Sequence, residues 1–270
     1  MIAEWAIALV AGLVVLAWIL GAPLASARRR RALVARPLTD AQRRALDAWL
    51  PCPRPLPPEL RGRLERLVSV FVGEKEFAGC GGLAVTPEMK VAIAAQACLL
   101  VLGRETHVYD RLRSVLVYPA RFVVPGEWSD EHGIVTVERR VLSGEAWDVS
   151  RIVLSWEDVE SRGEAGEPYN VVIHEFAHYL DHESDGAPWK SDRAARERWF
   201  GLLEDELRGL RAQVEAGERT LIDPYAAEDR AEFFAVASEA FFEEPAALAR
   251  RMPALYGALA DVYRLDPAGW

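Results

Sequence analysis

The sequence predicts an α+β fold, mostly helical with a small sheet, preceded by one N-terminal transmembrane helix. Apolar residues at helical spacing, punctuated by capping and proline signals, recur from Thr39 to the C-terminus. Short β-branched runs cluster between Ser114 and Trp156. Trp5 through Ala27 is a run of 23 residues without a charge.

Taking the elements in order, that first run is long enough to span a bilayer, which needs roughly 20 apolar residues as a helix. Arg28-Arg29-Arg30-Arg31 follow it directly and only Glu4 precedes it, so the bias of positive charge toward the cytoplasm puts the C-terminal side inside. The expected arrangement is a single-pass anchor in the inner (cytoplasmic) membrane. Residues 1–36 form the anchor and basic juxtamembrane segment, and residues 37–270 a domain facing the cytoplasm. A secretory signal cleaved after Ala25-Ser26-Ala27 is the alternative and would make the domain secreted; its n-region lacks the required positive charge.

Thr39-Asp40-Ala41-Gln42 has the capping-box pattern, opening a helix that stops at Pro51, Pro53, Pro55, Pro57 and Pro58. A second helix is expected over about 59–72, then an irregular turn where Gly79, Gly81 and Gly82 lie within Phe77–Leu83. Thr86-Pro87-Glu88 supplies an N-cap, an N1 proline and a first-turn acid for an apolar helix over 89–102. Strands are expected at 115–118, 133–137 and 152–156, helices at 171–180, about 191–215, about 224–243 opened by Asp223-Pro224, and about 245–263.

Composition bounds the function classes. With 51% apolar and 27% charged residues, 270 residues make one sizeable globular domain and an appendage. A net charge of -9 implies no cationic surface able to neutralise many phosphates, so no direct nucleic-acid partner is expected. Three cysteines, Cys52, Cys80 and Cys98, make no CxxC pair and are expected as free thiols of a reducing compartment.

The helix expected at 171–180 carries His174-Glu175-Phe176-Ala177-His178, an HExxH motif. Residues four apart share a helix face, so both imidazoles can hold one zinc ion while Glu175 handles a proton. A core histidine satisfied by hydrogen bonds is the commoner fate of a lone histidine on an apolar helix. Three polar groups together in an apolar stretch instead call for a common partner. Catalytic zinc takes three protein ligands and keeps one position open, so a third ligand must come from elsewhere. His182 continues the i+4 series, but one straight helix cannot wrap three such side chains around a tetrahedral ion. The glycine-broken HExxHxxGxxH pattern is absent. Glu228, Glu232 and Glu239 share one face of the helix after Asp223 at 100° per residue, amid buried-type Phe233, Phe234, Phe241 and Phe242. Ligation and a solvated acidic stripe both fit that face.

Seven segments occur in order: Phe77–Leu83, Ile93–Leu100, Val115–Pro119, Gly144–Trp147, Val153–Trp156, Asn170–His178 and Glu232–Glu239. In these the chain, over about residues 39–262, resembles the Mlc titration factor A family of zinc-dependent peptidases. Members of that family look like the catalytic domain of anthrax lethal factor around the metal. The resemblance implies a zincin-like metallopeptidase domain whose third ligand is a glutamate seven residues after a tyrosine facing the metal, here Glu232 after Tyr225. The apolar N-terminal segment departs from the enteric members, which look soluble and bind the glucose repressor Mlc.

The expected function is a zinc metallopeptidase acting on peptide or protein substrates, with aminopeptidase and endopeptidase action both open. His174, His178 and Glu232 would hold one Zn2+, Glu175 would be the general base, and Tyr225 would donate to the oxyanion. Asn170 and Asp181 are candidates to hold the outer nitrogens of the histidines. The alternative is a regulatory protein that binds a transcriptional repressor and keeps weak or vestigial peptidase activity.

Overall fold

Helix α1, described over residues 25–34, joins the chain's basic segment to the domain. The computed structural model describes residues 12, 25–104, 109–120, 150–161, 169–189 and 192–270. The anchor expected at 5–27 lies outside the described residues except for 12 and 25–27, and among the described residues no helix is long and apolar enough to cross a membrane. The strand expected at 133–137 and the segment Gly144–Trp147 also lie outside them. On α1, Arg30 donates to both carboxylate oxygens of Glu74 at 2.8 and 3.0 Å and to Asp110 at 2.6 Å, while Arg29 donates to the Gly73 carbonyl at 3.0 Å.

α2 (Asp40–Trp49) begins with the expected capping box, Thr39 accepting from the Gln42 amide while the Gln42 side chain accepts from the Thr39 N–H. α3 (Pro58–Glu74) follows the proline cluster. The segment read as a turn at Phe77–Leu83 starts instead as a strand, β1 (Glu76–Gly79), and only then turns, with Gly81 and Gly82 at φ of 58° and 83°. A Cβ on Gly79 would overlap the Leu83 carbonyl, so the turn folds tightly back on the strand end. α4 (Pro87–Leu99) is capped by Thr86 and almost wholly buried, ending three residues before the expected 102.

β2 (Ser114–Tyr118) lies between β1 and β3 (Arg151–Ser155), and both pairings are parallel, Val115 facing Phe77 on one side and Ile152 on the other. Trp156, expected at the end of β3, opens the short helix α5 (Trp156–Ser161) instead. α6 (Val171–Glu183) carries the HExxH motif and packs against α4, β3, α5 and, most extensively, the later helix that begins at Arg230. α7 (Arg193–Glu215) matches its expected span.

The helices expected at 224–243 and 245–263 are each split. Asp223 caps a 3-10 turn at Pro224–Ala227, and Asp229 then accepts from the amides of Ala231 and Glu232 to start α8 (Arg230–Glu243) afresh. Met252 precedes Pro253, which disfavours helical backbone there; at φ −133° and ψ 61° it separates α9 (Pro245–Arg251) from α10 (Pro253–Tyr263). The core runs through α4, α6 and α8 and includes fully buried Phe71, Phe176, Phe233, Phe241 and Tyr263. All three cysteines are free thiols.

Candidate metal centre

α6 owes its start to Asn170, whose side-chain oxygen accepts from the Ile173 amide at 3.0 Å. From there the helical repeat sets His174 and His178 on one face, with Glu175, half-buried, to one side of them. His174 is 1% exposed, so its two ring nitrogens need partners within the protein.

α8 supplies them. Because Asp229 fixes the first turn, Glu232 points into the interior at 2% exposure and sets a carboxylate oxygen 3.0 Å from His174 Nε2. Its other oxygen lies 3.3 Å from His178 Nε2, and the two Nε2 atoms are 2.9 Å apart. Burial disfavours the Glu232 carboxylate, but hydrogen bonds from His174 and His178 outweigh it and hold the group well below the usual carboxylate range. His174, His178 and Glu232 thus offer ligand atoms that all lie within 4.8 Å of one another.

Two imidazole nitrogens and one carboxylate are a donor set of catalytic zinc. Bonds of about 2.0–2.1 Å around a tetrahedral ion separate its ligand atoms by roughly 3.4 Å. The observed 2.9–3.3 Å separations are slightly tighter than that, so small outward shifts of the side chains would accommodate an ion. The residues fit a metal.

Of the other acids considered on the same face, Glu228 falls outside α8 in the turn and is exposed, where the Arg211 guanidinium clamps the Ala227 and Glu228 carbonyls at 2.8 Å. Glu239 does face the site, but one shell further out. Its Oε1 lies 2.5 Å from His174 Nδ1, and its Oε2 accepts from the Asn170 amide. One turn on, Glu243 accepts from the Tyr169 amide and the Asn170 side chain, both at 3.1 Å. The outer partner of His174 is therefore Glu239, not Asn170, whose side chain caps the helix and reaches Glu243. The i+7 spacing from Glu232 to Glu239 was the available signal, since it puts both on one stripe. Asp181 sits at the far end of α6; burial pushes its carboxyl up, against the charges of His178 and Arg230. His182 is exposed in the last turn of that helix.

Tyr225 is half-buried against the core in the 3-10 turn leading into α8, its amide held by Asp223 at 2.8 Å. The turn and the Asp229 cap thus carry Tyr225 and Glu232 on one continuous piece of chain.

Residues 24–264 match the family described as glucose-regulated metallo-peptidase M90. The Synechocystis protein slr2042 is 36% identical over 260 residues, covering 94% of each chain. Mlc titration factor A of Klebsiella pneumoniae is 36% identical over 218 residues, 78% of this chain and 82% of its own. That of Pectobacterium atrosepticum is 35% identical over 240 residues, 85% and 90% of the two chains. The chain belongs to this metallopeptidase family.

Proposed function

We propose that this member of the M90 family is a zinc-dependent peptidase in which His174, His178 and Glu232 hold the ion, Glu175 is the general base and Tyr225 the oxyanion donor. The observation that carries the reading is the convergence of buried His174 and Glu232 with half-buried His178 beside the glutamate of an HExxH helix. A zinc ion held there would lower the pKa of its water to about 7 and polarise the scissile carbonyl.

The chain's own residues supply the remainder. Glu175 is displaced about 100° around α6 from His174, so it stands beside the ligand cluster rather than within it. From there it takes a proton from the attacking water and returns it to the leaving amine, a role that contributes about 10²–10⁴-fold. Tyr225, carried on the turn that leads into Glu232, donates its hydroxyl to the carbonyl oxygen as charge develops there. Glu239 holds His174 from behind.

The deciding experiment is metal content and peptide hydrolysis for the wild type and Glu175→Gln. The variant is expected to keep zinc and fold while losing nearly all hydrolysis; equal rates would refute the mechanism. A second reading, a regulatory protein that sequesters a transcriptional repressor, draws its support from the relatives named Mlc titration factor A. A wild type that binds a repressor tightly and hydrolyses nothing across a broad peptide library would favour it.

The apolar run before Arg28 supports a separate proposal, that residues 5–27 anchor the domain at the inner membrane facing the cytoplasm. A reporter fused after Trp270 is expected to read as cytoplasmic, and a mature chain starting at Arg28 with an external reporter would overturn the topology.

A further inference from the structure

Glu239 is buried at 2% exposure, and each of its carboxylate oxygens is committed: Oε1 to His174 Nδ1 at 2.5 Å, Oε2 to the Asn170 backbone N–H. A neutral imidazole carries one ring proton, on either nitrogen. With an acceptor-only carboxylate against Nδ1, a proton is held on Nδ1, so Nε2, the nitrogen that faces His178 and Glu232, is the one that gives up its proton and offers a lone pair when a metal is bound. We propose that Glu239 is a positioning residue that sets the tautomer and ring orientation of His174, and that a carboxylate is required there because it must accept two hydrogen bonds at once.

The chemistry of the alternatives makes the requirement specific. A glutamine has one acceptor oxygen and one donor NH2. Whichever way the amide turned, its NH2 would face either the Asn170 N–H or the His174 Nδ1–H, leaving a buried donor unpaired or forcing the proton to Nε2, where it blocks metal ligation. Glu243, one turn further along α8, holds the same start of α6 through the Tyr169 amide and the Asn170 side chain, while the Nδ1 contact is made by Glu239. Glu243 therefore separates two roles: docking the helix start, shared by both acids, and holding the outer nitrogen of the ring, which Glu239 does.

This inference rests on the metal reading above, and its test keeps the two apart. Zinc affinity would be measured on the full chain by chelator competition for the wild type, Glu239→Gln and Glu243→Gln, with folding followed by circular dichroism. Glu239→Gln is expected to weaken zinc about 10- to 100-fold, the usual cost of losing such an outer partner, while folded Glu243→Gln keeps the wild-type affinity. Equal losses in the two variants would place the effect in the docking of α6 and overturn the proposal, as would a folded Glu239→Gln with wild-type affinity. If either variant does not fold, the ring-nitrogen chemical shifts of His174 in the metal-free wild type decide instead. A protonated Nδ1 is expected, whatever the state of Nε2 beside the Glu232 carboxylate, and an unprotonated Nδ1 overturns the proposal. A wild type that binds no zinc refutes the metal reading, and the proton on Nδ1 still decides the role of Glu239.

Discussion

The two faces of α8 are both buried yet built from opposite materials. Toward α6 the helix presents Glu232, Glu239 and Glu243, spaced i, i+7 and i+11 on one stripe, each bonded to a group on α6 or at its start. Toward α7 and α10 it presents Phe234, stacked edge-on to Trp199, and Phe241 and Phe242 against Tyr263 with centroids 5.5 and 5.1 Å apart. The aromatic face gains free energy simply by leaving water, in any well-packed arrangement. The acidic face costs free energy to bury and is tolerable only because named partners meet every carboxylate. One helix thus separates the source of stability from the source of chemistry, and substitutions on the two faces should fail in different ways.

The largest contrast sets Glu232→Ala against Phe241→Ala. Glu232→Ala is expected to abolish stoichiometric zinc binding while the helical signal in circular dichroism persists, because the aromatic face is untouched; Glu228→Ala, in the exposed turn, should bind zinc as the wild type does. Phe241→Ala is expected to cost about 3–5 kcal/mol of stability, as large-to-small changes in a packed core do, yet the fraction still folded should bind zinc normally. Elemental analysis and urea denaturation read the two axes independently. Loss of zinc from folded Phe241→Ala, or unfolding of Glu232→Ala, would mean that the faces are not separable.

The same contrast explains what was legible in the sequence. Residues whose meaning is local could be read: the Thr39 and Thr86 caps, the HExxH repeat on α6, and the apolar spacing of α4 and α7 all appear where the pattern puts them. The breaks at 228–229 and at Met252 were hidden because the apolar spacing runs on across them, while a capping aspartate and a proline decide the backbone. The signals were present as Asp229 and Pro253 but were outweighed by periodicity. β1 was hidden by the glycines at and just beyond its end, since a four-residue strand is defined by pairing with Ser114–Val117, which no local pattern announces. At the site, Glu232 and Glu239 stand on one stripe in the sequence, but which of them reaches the ligand cluster and which stops at the outer nitrogen depends on where α6 crosses α8. That is a tertiary fact.

The smallest effect probes where the aromatic face carries a polar group of its own. Tyr263 is fully buried and its hydroxyl lies 2.6 Å from Ser238 Oγ, which also donates to the Phe234 carbonyl at 2.7 Å. Burial pushes the Tyr263 phenol above its ordinary range, with the Ser238 hydrogen bond pulling the other way and the Asp181 charge adding to the rise. A phenol that holds its proton longer in the folded chain than in the unfolded one contributes stability below the unfolded value of about 10, and that contribution is lost as pH rises through the folded value. Tyr263→Phe should therefore do two small things. At neutral pH it removes one hydrogen bond, about 1 kcal/mol, without orphaning Ser238, which keeps its bond to the Phe234 carbonyl. Above about pH 10 it makes the loss of stability shallower, by up to about 1.4 kcal/mol per pH unit, because one fewer proton is released on unfolding. Urea midpoints measured from neutral pH to about pH 11 would read both, and an alkaline slope unchanged in Tyr263→Phe would show that the hydroxyl is not held protonated by the fold.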